Sequence, residues 1–159
     1  MSPTMLTTAG APHHEAAHMG VADKPPRFAS RTEAVGVVIP AHNHAATISK
    51  CITSIFEANS YSGWQNELWI VVVADACTDQ TAKVARRTIG AFGEVLEVTA
   101  QSLRTARRIG ESTLLDHFRH RRRHAVMLVS ADADNRVPRD WIDMTKNTIK
   151  IGAHAQRSA

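Results

Sequence analysis

The chain has 159 residues, 43% hydrophobic and 21% charged, the size and balance of a single globular domain able to bury a core. A net charge of +4 and a pI of about 9.5 allow anionic ligands such as nucleotides without requiring nucleic acid. No uninterrupted apolar run approaches the roughly 18 residues of a membrane span, and Cys51 and Cys77 have neither a metal-ligand spacing nor a disulfide framework.

Residues 1–32 are rich in Ala, Pro, Thr, His and Gly without a period and read as a disordered tail ahead of a folded unit over 33–159. His13, His14 and His18 have no carboxylate or Cys partner at matching spacing, so a plain His-containing leader is favoured over a metal site. The tail lacks the basic start and continuous apolar centre of a signal peptide. The expected location is therefore the cytoplasm, with peripheral contact at the inner membrane face left open.

From Ala34 the pattern changes. AVGVVIP is a β-branched run closed by Pro40, a buried strand. Ile48, Cys51, Ile52, Ile55 and Phe56 then recur at helical spacing, and the helix ends near Asn59-Ser60. LWIVVVA predicts a second buried strand. Thr78 or Asp79 can cap the next helix, whose apolar positions run from Ala82 to Ile89 and stop at Gly90. EVLEVTA predicts a third strand, and Ala106, Ile109, Leu114 and Phe118 define the helix after it. AVMLVSA predicts the fourth strand, followed beyond Pro138 by a helix with Trp141, Met144 and Ile149 on its apolar side.

Strands alternating with helices, two of the strands apolar throughout, predict a Rossmann-like, mostly parallel α/β sheet with flanking helices. Ligands in such sheets sit beyond the carboxyl ends of the strands. That rule selects PAHNH, ADACTD, SLRTARRIG and SADADN. Asp132 and Asp134 share a face if the backbone stays extended, and a divalent cation of the Mg2+ or Mn2+ kind would relieve their repulsion. An Asx-type turn is the plainer alternative. Asp75, at a strand end, can accept a hydrogen bond from a base or sugar, whereas Asp79 is better read as a helix cap.

Arg104, Arg107 and Arg108 open the third helix where phosphate would be favoured, although a solvated basic face explains any one of them. No G-x-G-x-x-G or P-loop is present, which disfavours NAD and a standard NTPase. The basic run RHRRRH precedes the fourth strand, at the end away from the ligand edge, and lacks interleaved aromatics. It reads as a solvated helix end rather than a nucleic-acid site.

The order and spacing of VVIPAHNHAATISKCITSI, VVVADACTDQTA, TARRIG and SADADNRVPRDWI resemble the N-terminal half of a family 2 glycosyltransferase of the nucleotide-sugar (GT-A) fold, over about Val35 to Ile142. The resemblance implies that Pro40, Ala41 and Asn43 form the floor under the nucleotide, Asp75 contacts the base and Arg108 lies near the diphosphate. It implies that Asp132 and Asp134 hold the ribose and a metal-bound diphosphate, with Mg2+ or Mn2+ as cofactor. The implied reaction is transfer of a sugar from a UDP- or GDP-linked donor to an acceptor hydroxyl, with inversion.

His44 stands where the family usually has an acidic residue, Ala74 where it has the first Asp of a pair, and Arg108 where it has Asn. The family's acceptor half and catalytic base follow the D-x-D by many tens of residues, so the expectation here is a truncated nucleotide-sugar-binding part without its base. Two other readings stand beside it. One is a catalytically incomplete binding module that works only with a partner chain or has no activity. The other, less favoured, is a basic nucleic-acid-binding scaffold. Separately, an exposed last strand is expected to favour self-association.

Overall fold

The computed structural model describes residues 34–62, 67–123 and 125–155. The tail with its three histidines, His124 of the basic run and the side chain of Ile149 lie outside the described residues. Eight elements alternate: β1 (Ala34–Ala41), α1 (Ile48–Tyr61), β2 (Glu67–Asp75), α2 (Thr81–Ile89), β3 (Gly93–Val98), α3 (Leu103–His120), β4 (Val126–Ser130) and α4 (Trp141–Ala155). All four strands are parallel, in the order β3-β2-β1-β4, as strand–helix alternation requires. The fold is the expected α/β sheet with flanking helices.

β1 is buried along its whole length because it is paired on both sides and covered on both faces. Val35, Val37 and Ile39 face one cluster with Ile52 and Ile55 of α1 and Ile142 of α4. Val38 faces the other, with Val71, Val73 and the α3 residues Ala106, Leu114 and Phe118. Close approach of α3 is possible because residue 110 is glycine: a Cβ there would lie 2.5 Å from Val38 Cγ1. In α4 it is Ile142 that is buried, while Met144 is 55% exposed. The predicted apolar face of that helix is thus rotated.

Pro40 within a central strand breaks an ordinary rule, since proline gives no N–H to a ladder. The register explains it. Val38 O accepts the amide of Ala131 at 3.0 Å, so the even-numbered residues of β1 direct their backbone groups toward β4. The last β1–β4 pair is Val38 with Ser130. The missing N–H of Pro40 therefore points where β4 has already ended and its chain has turned away into SADADN.

Candidate functional site

Four loops meet at the carboxyl edge. Between the ends of β1, β2 and β3 lies an open cavity of about 520 Å³, within the range of small-ligand pockets. Pro40, Ala41, His42 and His44 line one side, and Asp75, Ala76, Gln101, Ser102, Leu103 and Ala106 line the other.

Asp75 is 6% exposed and is held by backbone. Its carboxylate accepts the amides of Gln101 at 2.8 Å and Ser102 at 2.9 Å. Desolvation pushes its pKa up, but the amides of Ser102, Gln101 and Ala100 and the nearby His42 outweigh this, leaving it below the ordinary carboxylate value. Ser102 is also the N-cap of α3, accepting the Thr105 amide, so Asp75 sits against a helix N-terminus that favours negative charge. The carbonyl of Asp75 binds His42 Nδ1 at 2.7 Å. A carbonyl only accepts, so Nδ1 carries the proton there, and Nε2 is left to face Asn43 Nδ2 at 3.3 Å.

Asn43 does not line the cavity. Its Oδ1 accepts the amides of Thr78 at 2.8 Å and Asp79 at 3.3 Å and the Thr78 hydroxyl at 3.3 Å, tying the β1–α1 loop to the β2–α2 loop. Asp79 ties the same loops from the other side, taking the Ala45 amide at 3.0 Å and the Thr81 amide at 2.9 Å at the start of α2. Its pKa is lowered mainly by the Thr81 hydroxyl. Asn43, Ala76 and Gln101 all have positive φ, one in each of the three loops around the cavity. Backbone strain thus collects at this edge.

Asp132 and Asp134 lie past β4, across β1 from the cavity and outside its lining. Both are exposed, while Ala131 and Ala133 are 5% and 2% exposed and belong to the core. The chain therefore alternates small side chains inward and carboxylates outward. The Cys51 thiol, buried on α1, donates to the carbonyl of Asp132 at 3.3 Å. Burial first, and then the charges of Asp132 and Asp134, push that thiol up to about 11, which keeps it protonated as a donor. The two carboxylates are hard oxygen ligands of the type Mg2+ and Mn2+ take, and a phosphate-bridged ion needs only one or two from protein. The donor set fits such an ion. Among the described residues no group of three His, Cys, Asp or Glu could hold a metal by itself.

Arg108 is exposed. It is Arg107, one position earlier, that reaches the end of β4, its Nε donating to Ser130 Oγ at 3.1 Å. The basic run lies at the other end of α3, where Glu67 takes Arg121 at 3.1 Å and Arg123 at 2.8 Å and Asp116 takes Arg119 at 2.8 Å. Much of its charge is thus neutralised within the fold.

With this geometry in view, comparison with known proteins decides the family. The sequence profile of Glycosyl transferase family 2 matches residues 36–154. The chain belongs to that family. A search of the curated proteins finds no match. Among solved structures, the crystal structure of S. aureus TarS 1-349 superposes with a TM-score of 0.54 at 16% identity, over 74% of this chain and 32% of that one. The likeness is one of fold, GT-A-like, and the chain spans about a third of that structure (32%). The family match runs through every loop of the carboxyl edge, from Pro40 to Asp134. Composition pointed to none of His42, Gln101, Ser102, Cys51 or Arg107 as part of this edge. The strand-end rule selected the stretches holding His42, Ser102 and Arg107, but neither Gln101, one residue before SLRTARRIG, nor Cys51 on α1.

Proposed function

We propose that the chain binds a nucleoside-diphosphate sugar, UDP- or GDP-linked, along its carboxyl edge and serves transfer of that sugar to an acceptor hydroxyl with inversion. One observation carries the reading: in a family 2 glycosyltransferase sequence, Asp132 and Asp134 both face outward on the edge that holds the cavity. Adjacent strands are about 4.8 Å apart, so β2 and β4 ends are separated by about 10 Å, the scale of a nucleotide lying across β1.

In this arrangement the base enters the cavity, over Pro40 and Ala41 and against Leu103, an exposed apolar side chain at its lip (61% exposed). Asp75 presents its remaining lone pairs to a base N–H, and its two amide bonds fix their direction. Asn43 acts by holding the β1–α1 loop rather than by touching the nucleotide. Arg107 and Arg108 supply positive charge toward the diphosphate, and Asp132 and Asp134 hold its metal-bound end. A divalent cation bound there, Mg2+ or Mn2+, supplies Lewis-acid neutralisation of the leaving diphosphate. In the transfer, the acceptor oxygen bonds to the anomeric carbon as the bond from that carbon to the diphosphate oxygen breaks, and the acceptor proton passes to a base.

A second reading, donor binding without transfer by this chain alone, is favoured by the state of the other acids at this edge. Asp75 and Asp79 are both committed to backbone amides, so neither is placed to take the acceptor proton. Incubation with UDP- and GDP-linked sugars, Mn2+ and simple glycoside acceptors separates the two. Release of nucleoside diphosphate that depends on acceptor supports transfer, whereas donor binding without release supports the module.

A further inference from the structure

Asp132 and Asp134 belong to a loop that α1 grips at three points. The Cys51 thiol donates to Asp132 O at 3.3 Å. Ser54 Oγ accepts the Val137 amide at 3.0 Å while donating to Cys51 O at 2.7 Å. Arg136 pairs with Glu57 at 3.4 Å. Cys51, Ser54 and Glu57 are spaced by three, along one of the oblique rows of an α-helix surface. Cys51 and Ser54 are each 1% exposed and their bonds to the loop are part-buried, while the outer pair is solvent-exposed and weak.

Ser54 is a polar side chain in an otherwise apolar helix face, and its cost there is offset by the two bonds it makes, one within α1 and one to a loop amide. Between the two buried anchors the loop closes its own turn, Asn135 N to Asp132 O at 3.1 Å, and sinks Ala133 into the core. The Asp132 carbonyl thus takes both a thiol and an amide, which fixes the peptide plane from which the carboxylate projects.

We propose that Cys51 and Ser54 are positioning residues for the metal-binding carboxylates, holding the 132–137 loop so that Asp132 and Asp134 converge on one ion. This rests on the reading of Asp132 and Asp134 as ligands of a metal-bound diphosphate. Groups that orient metal ligands typically change metal affinity by about 10- to 100-fold when removed. A residue important only to folding would lower the melting temperature without touching the gain in nucleotide affinity that metal brings.

The test compares wild type with Cys51→Ala, Cys51→Ser, Ser54→Ala and, as a core control on the same helix, Ile52→Val. Two quantities are measured: the strengthening of UDP and GDP binding by Mn2+, and amide hydrogen exchange over residues 131–137 without ligand. The expected result is about a tenfold loss of the Mn2+ effect and faster exchange in Cys51→Ala and Ser54→Ala, recovery in Cys51→Ser, which keeps a donor, and neither change in Ile52→Val.

Wild-type Mn2+ response and exchange in both alanine variants would overturn the proposal, as would an equal loss in Ile52→Val. If Ser54→Ala does not fold, the two Cys51 variants decide alone. A wild type that binds neither nucleotide with Mn2+ overturns the reading of the site instead; the exchange comparison, which needs no ligand, still decides whether α1 holds the loop.

Discussion

The carboxylate of Asp75 accepts the amide of Ser102 at 2.9 Å, closing the β3–α3 loop onto the end of β2. With the Gln101 amide on its other oxygen, this acid is the hinge pin of the cavity: it shapes one wall and holds the strained Gln101 backbone in place. An Asn at this position would turn its NH2 toward one of the two part-buried N–H groups. Asp75→Asn is expected to destabilise by about 1–3 kcal/mol, read by denaturant unfolding.

The same acid sets a pH dependence. Its folded-state pKa is depressed, so its contribution is complete above the unfolded value of about 3.9 and is lost as pH falls further through the folded value. Melting temperatures between pH 3 and pH 7 should fall at the acid end in wild type. The fall should be shallower in Asp75→Asn, with Asp79, also depressed, contributing what remains. Parallel curves would show that Asp75 is not a source of the acid sensitivity.

Asn43 combines a positive φ with three accepted hydrogen bonds. Asn43→Ala loses the bonds and keeps the strained backbone, for an expected loss of about 1–3 kcal/mol. Asn43→Gly loses the same bonds but tolerates the backbone, so it should unfold at higher denaturant than the alanine variant. Equal midpoints would show that the backbone conformation there carries no cost.

Gly110→Ala sets two effects against each other. Alanine gains about 1 kcal/mol of helix propensity over glycine. Its Cβ, however, would lie 2.5 Å from Val38 Cγ1 and 3.1 Å from Val73 Cγ2, stiff side chains buried in the sheet. Overpacking typically costs about 1–3 kcal/mol, so the net change is expected to be destabilising. A stabilised variant would mean that α3 can ride outward.

What the sequence made legible was whatever repeats or punctuates. β-branched runs marked the four strands, helical spacing marked the helices, and Gly90 marked the end of α2. The strand-end rule then placed every loop of the site on one edge. Contacts between elements left no such trace. Arg107 and Arg108 are adjacent in sequence but differ by about 100° around a helix, and only the docking of α3 decides which reaches Ser130. Cys51 read as one more apolar position on α1, because its partner, the carbonyl of Asp132, is 81 residues away. The burial of Ala133 likewise depends on α1 lying beneath it, so its role as the plug between two carboxylates is a property of packing.

Ala133→Leu tests that plug. The side chain is 2% exposed and belongs to the core cluster, so three more carbons there overpack it and are expected to lift the loop. The expected outcome is a lower melting temperature together with weaker Mn2+-assisted nucleotide binding. A stability loss with binding intact would show that the carboxylates keep their geometry independently of the buried alanine.

The proposed function rests on Asp132 and Asp134 serving a metal-bound nucleoside diphosphate. Calorimetric titration with UDP and GDP, with and without Mn2+, on wild type and Asp134→Ala tests it most directly. The expected result is binding of at least one nucleotide that Mn2+ strengthens, with the strengthening abolished in Asp134→Ala while the fold is retained. Failure of the folded wild type to bind either nucleotide, or binding in which Mn2+ and Asp134 make no difference, would contradict it.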